Sequence, residues 1–146
     1  MNIRQLRLGE LVALLGAACV VVSLLAPWYG GAPVGNLDAW DTFGPAVALL
    51  IAAACAALAM VLSAVTERST ALPVSSAVWC VAIGSAAVIA AVVRVLERPG
   101  YSTSLCVGAW LGLAGAAAIL VGAWLALRDE RPSVYDPPRP PARNRP

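Results

Sequence analysis

Val107 to Leu127 reads VGAWLGLAGAAAILVGAWLAL, and within it Gly108 to Leu113 (GAWLGL) returns fourteen residues later as Gly122 to Leu127 (GAWLAL). Fourteen residues are close to four turns of an α-helix, so the two copies share a face. Alternating steps of four and three select Gly108, Gly112, Gly115, Ile119, Gly122 and Ala126. A seam built almost wholly of glycine and alanine lets a second helix approach to backbone contact, as membrane helices do. Trp110 and Trp124 fall on the opposite side near the two ends, the levels at which tryptophan meets lipid headgroups.

The remainder of the chain agrees with that solvent. Of its 146 residues, 60% are hydrophobic and 12% charged, whereas a soluble domain is about half apolar. A membrane helix needs ~20 apolar residues, and four such runs are present: 8–26, 44–65, 72–96 and 105–127. These give an all-α membrane protein, an antiparallel up-down four-helix transmembrane bundle over residues 1–127 with short loops. Arg4 and Arg7 precede the first run, Arg68 lies between the second and third, and five arginines follow the fourth, against only Arg94 and Arg98 on the other side. The positive-inside rule then places both termini in the cytoplasm of a bacterial plasma membrane.

Residues 128–146, RDERPSVYDPPRPPARNRP, hold six prolines and five arginines. That composition predicts a disordered cytoplasmic tail without a packed core. Its polyproline-like Pro137 to Pro141 has the shape that some peptide-recognition modules take, and its arginines suit anionic lipid.

Arg4 and Arg7 ahead of a hydrophobic run imitate a signal peptide. Pro33 after the small-x-small triplet Gly30-Gly31-Ala32 argues against cleavage, and the apolar run continues past Cys19 to Leu25. The first span is therefore expected to remain. Its seam, Gly9, Ala13, Gly16, Val20 and Ser23, has the spacing of the fourth, making the two expected antiparallel neighbours. On the third run the same spacing selects Ala77, Cys80, Gly84, Ala87, Ala91 and Arg94. The second run is so rich in alanine that periodicity chooses no face.

Between the first two spans, Pro27 ends a helix and Trp28-Tyr29 is expected in an aromatic belt. Asn36 is expected to cap a short surface helix with Leu37, Trp40 and Gly44 on one side and Asp38 and Asp41 on another. Ser69 or Thr70 is expected to cap the third span, and Ser102 or Ser104 the fourth.

Arg94 is the sharpest candidate for a role of its own, because an ionisable side chain within a membrane segment is costly. Two readings stand. In one, the arginine snorkels to the outer end and clamps the loop through an ion pair with Asp38, Asp41 or Glu97 or a hydrogen bond to loop carbonyls. In the other it is an anion-binding or coupling site in an outward vestibule. Glu10 resembles the membrane glutamate of small proton-coupled multidrug exporters, but it is spaced to pair with Arg7. The four cysteines, Cys19, Cys55, Cys80 and Cys106, fall one to a helix, without the C-x-x-C pairing of quinone-linked thiol oxidases and at depths that do not converge on a metal. With no histidine, no phosphate-cradling glycine loop and no nucleophile beside a base, the residues point to no enzyme, no cofactor, no metal and no nucleic acid.

Pro27-Trp28-Tyr29, Trp40 with Phe43, Arg94 with Arg98-Pro99, and Gly108 to Leu113 together resemble the small four-span integral membrane proteins of high-GC Gram-positive bacteria, a group without an assigned activity. The expected role is structural or accessory. Membrane lipid is the first partner, with other membrane proteins or a second copy of the chain as further ones. The alternative is a small homo-oligomeric transporter or channel component built on Arg94.

Overall fold

The computed structural model describes residues 8–31, 35–66, 71–97 and 104–129. In chain order these form α1 (Leu8–Leu25), strand β1 (Tyr29–Gly30), the short α2 (Ala39–Phe43) and a 3-10 turn at Gly44–Ala46, which leads into α3 (Val47–Thr66). After these come α4 (Ala71–Leu96), strand β2 (Ser104–Leu105) and α5 (Val107–Asp129). Four helices are long and apolar enough to cross a membrane. They pack in a circuit, α1 against α5, α5 against α4, α4 against α3 and α3 against α1, around one hydrophobic core.

The α1–α5 contact is the closest. A Cβ built on Gly9 would stand 2.7 Å from the Gly122 carbonyl oxygen, and one built on Gly122 would stand 2.5 Å from the Gly9 carbonyl oxygen. One α1 end thus meets the far end of α5, so the two run antiparallel with backbone against backbone. On α4 the buried positions are Ala77, Cys80, Gly84, Ala87 and Ala91. The α4–α5 contact is looser: a Cβ on Gly84 would meet only ordinary neighbours, Leu120 and Ile119, at 3.5 and 3.6 Å. The face of α3 that composition left open is Val47, Leu50, Ala53, Ala54, Ala57, Met60 and Val61, with Leu50 and Met60 supplying the bulk.

Large apolar side chains point outward instead. Leu15, Leu25, Ile89 and Leu96 are among those exposed. Glycine and alanine inside with leucine and isoleucine outside is the reverse of a water-soluble bundle, and it suits helices that gain stability from close packing instead of water exclusion.

Three expectations need correction. The fold is mostly helical, compatible with an all-α bundle, but Ser104 caps no helix: β1 and β2 pair antiparallel, Tyr29 with Leu105 and Gly30 with Ser104, and Leu37 bridges to Tyr29 on the other side. Strands of two residues carry no alternation that a sequence pattern can detect. Ser104 therefore lies in a strand, its hydroxyl donating to the Gly30 carbonyl at 3.2 Å, and α5 begins only at Val107. The expected caps Ser69, Thr70 and Ser102, like the tail beyond Asp129, lie outside the described residues.

The cap of α2 is Asp38, not Asn36: its carboxylate accepts from the Trp40 and Asp41 N–H groups at 2.9 and 3.1 Å. The buried face of α2 is accordingly Ala39, Thr42 and Phe43, while Trp40 is 53% exposed. Finally, Trp28 and Tyr29 do not sit in a belt. Both are completely buried.

Candidate functional site

Those two aromatic residues close one end of the helices, and the chain's local chemistry explains why. The carbonyl of Ser23 would ordinarily accept from the N–H four residues on, but that residue is Pro27, which has none. The Trp28 indole takes its place, Nε1–H donating to the Ser23 oxygen at 2.8 Å. Gly112 makes room for the ring. A Cβ there would stand 2.3 Å from Trp28 Cζ2, so only glycine fits opposite the indole. Phe43 completes the packing edge-on, with ring centroids 4.5 Å apart and planes at 79°, a geometry aromatic quadrupoles favour.

Two more helix ends are satisfied from outside in the same way. The Tyr29 hydroxyl donates to the carbonyl of Arg94, in the last turn of α4. Val47 N–H turns back to the Gly44 and Pro45 carbonyls, and the Phe43 oxygen accepts instead from Arg94 Nη2 at 3.3 Å. The Arg94 guanidinium also lies over the Phe43 ring, Cζ 5.5 Å from its centroid, within cation–π range.

The chain leaving α1 serves α5 as well. Gly108 N–H donates to the Pro27 oxygen and Cys106 N–H to the Trp28 oxygen, each at 2.9 Å. Trp28 and Tyr29 N–H both reach the Leu37 carbonyl, and Leu37 N–H returns to the Tyr29 oxygen at 2.9 Å. A buried backbone group left without a partner costs on the order of 2–7 kcal/mol in apolar surroundings. The cap is an answer to that cost.

Of the four residues expected to form an ion-paired cluster, only Arg94 enters the cap. Among the described residues it makes no ion pair with Asp38, Asp41 or Glu97; Asp38 is engaged in capping α2, and Asp41 and Glu97 are exposed. The seam glycines Gly9, Gly16, Gly108, Gly112, Gly115 and Gly122 are brought together along α1–α5, with Gly84 on the α4 side. Glu10 is buried and partnered, while Arg7 lies outside the described residues.

Polar chemistry elsewhere is sparse. Ser63 and Ser76 join α3 to α4 through their hydroxyls at 2.9 Å, and Ser85 donates to the Val81 carbonyl within its own helix. The four cysteines are free, with Cys80 buried and Cys55 exposed. Among the described residues no three histidine, cysteine, aspartate or glutamate side chains stand close enough to hold a metal. A shallow apolar groove on the outside of α4 and α5 is lined by Val81, Ser85, Leu120, Val121 and Trp124. What the arrangement does chemically is to hold helix ends together and keep polar backbone covered. No protein-family model matches the chain, and neither a curated protein nor a solved structure matches it.

Proposed function

We propose that the chain is a multi-pass protein of the bacterial plasma membrane that works as a structural or accessory subunit, a rigid helical partner within a membrane assembly. Its four long helices run up and down across the bilayer. The cap end faces outward and both termini are cytoplasmic. No chemical step is assigned to it.

The observation that carries this reading is the α1–α5 seam, where Gly9 faces Gly122 and, two turns on, Gly16 faces Gly115 at backbone distance. Such packing favours a fixed body over a moving gate, because helices at van der Waals contact have no slack to redistribute. The exposed tryptophans support the bilayer placement. Trp40 and Trp110 are exposed at the cap end, and Trp79 and Trp124 are exposed toward the other. Trp110 and Trp124 are fourteen residues apart on one helix, about 21 Å along its axis, which suits two interfacial belts. The excess of arginine at the end opposite the cap supports the orientation.

The test is the native mass of the complex extracted gently from its own membranes, with subunits identified in the same run. Stoichiometric association with a different membrane protein is the expected result. A pure homo-oligomer that passes solute in reconstituted vesicles would overturn the accessory role in favour of transport.

A further inference from the structure

Arg94 uses little of its hydrogen-bonding capacity. A guanidinium carries five N–H donors in one plane. Here one, on Nη2, reaches the Phe43 carbonyl at 3.3 Å, with the Phe43 ring beneath Cζ. Among the described residues it has no other hydrogen bond and no carboxylate partner. The side chain is half-buried in the last turn of α4, at the end of the helices where exposed Trp40 and Trp110 also lie.

The charges at that end narrow what fits there. Asp41 stands two residues before the carbonyl that Arg94 holds, and Glu97 stands three residues after Arg94; both are exposed. Asp38 caps the short helix that carries Asp41, with its carboxylate turned to the N–H groups of α2. The sequence at this end carries both signs, Arg94 and Arg98 with Asp38, Asp41 and Glu97, so a bare anion would meet carboxylates as well as arginine. A zwitterion meets both signs. A phosphodiester takes a planar fork in paired, charge-assisted hydrogen bonds, and a primary ammonium donates to carboxylates.

Resting on the membrane placement proposed above, we infer that the cap end holds the headgroup of an ethanolamine-type phospholipid. Its phosphodiester lies on the free edge of Arg94 and its ammonium between Asp41 and Glu97. The lipid tails run down the outside of the helices, and the headgroup supplies the partner that Arg94 does not find among the described residues.

The test uses the delipidated full chain in detergent, with bound molecules counted by native mass spectrometry. The probes are phosphatidylethanolamine, phosphatidylglycerol, and the tail-free phosphoethanolamine and inorganic phosphate. Wild type is expected to hold phosphatidylethanolamine about tenfold more tightly than phosphatidylglycerol, and Arg94→Gln to lose that binding. Asp41→Asn combined with Glu97→Gln, which leaves the Arg94–Phe43 contact in place, is expected to shift the preference toward phosphatidylglycerol. Equal binding of the two lipids by wild type, or an unchanged preference in the double variant, overturns the inference. Tail-free phosphoethanolamine binding as well as the lipid would assign the site to a soluble phosphate ester and overturn the lipid. A chain that does not fractionate with membranes fails the underlying placement, whereas a membrane-embedded chain without Arg94-dependent binding fails this inference alone.

Discussion

Gly16 and Gly115 face each other across the α1–α5 seam with reciprocal geometry: a Cβ on Gly16 would stand 2.7 Å from the Gly115 carbonyl oxygen, and one on Gly115 would stand 2.8 Å from that of Gly16. Gly9 and Gly122 repeat the relation two turns away, so seven-residue spacing on one helix answers seven-residue spacing on the other. At this separation glycine Cα–H groups lie against carbonyl oxygens, a weak attraction that recurs at close helix interfaces. The seam is tight because neither side has a side chain.

Gly122→Ala and Gly115→Ala should each destabilise the protein by about 1–3 kcal/mol, since the new methyl meets backbone that cannot rotate away. Gly84→Ala is the control. Its methyl meets atoms only at 3.5 Å and beyond, and it gains about 0.5–1 kcal/mol of helix preference. Unfolding in mixed micelles ranks the three. Equal losses at all three would show that the seam is not the close contact described.

Trp28 should be the least replaceable aromatic residue. Trp28→Phe keeps most of the ring against Gly112 and Phe43 but removes the indole N–H, leaving the Ser23 carbonyl without a donor at about 1–3 kcal/mol. Trp28→Ala adds a cavity and should cost about 3–5 kcal/mol. Trp110→Ala, on the exposed side, should stay within about 0.5 kcal/mol. A Pro27→Ala variant supplies the missing backbone N–H, so the Trp28→Phe penalty should shrink in that background. Additivity of the two changes would refute the substitution of indole for backbone donor.

How far these features were readable from residues alone depended on the length of the pattern behind each. Gly9 and Gly16 on α1, Gly108 to Ala126 on α5 and Ala77 to Ala91 on α4 follow the helical period over several turns, and those positions are the ones that face inward. The α3 face was illegible, because alanine at Ala52, Ala53, Ala54, Ala56 and Ala57 gives every direction the same character. The cap was misread for a different reason. Trp28 and Tyr29 next to a proline look like a belt at the end of a span, and nothing local distinguishes burial from lipid exposure. The signal lay elsewhere in the chain: on the same seam Gly112, about one turn from Gly115, faces Ser23 and the Trp28 ring, and an empty place opposite glycine calls for a large ring.

Arg94 acts through Phe43, and that separates its variants from those of the acids. Arg94→Leu leaves the Phe43 carbonyl without its donor and should cost about 1–3 kcal/mol. Asp41→Asn should lie within about 0.5 kcal/mol of wild type, and Asp38→Asn should do the same because asparagine caps helices as well as aspartate does. Asp38→Ala, which removes the cap, should cost about 1 kcal/mol. An ion-paired clamp makes the opposite forecast, with both Asp→Asn variants reproducing part of the Arg94→Leu loss. Melting of the four variants in detergent, in parallel, decides between them.

Thiol reactivity gives a readout that needs no substitution at the seam. Cys55 is exposed on α3 and Cys80 is fully buried on α4, so a small lipophilic maleimide should modify Cys55 in the folded protein and reach Cys80 only through opening of the helices. If α4 opens only together with the α1–α5 seam, the Cys80 rate reports global stability, and Gly122→Ala should accelerate it about tenfold for each 1.4 kcal/mol lost while leaving Cys55 unchanged. If α4 instead detaches locally across its looser contact at Gly84, the Cys80 rate will be indifferent to Gly122→Ala. The ratio of the two cysteine rates in wild type and variant therefore measures whether the four helices open as one unit or as a locked pair with a separable partner.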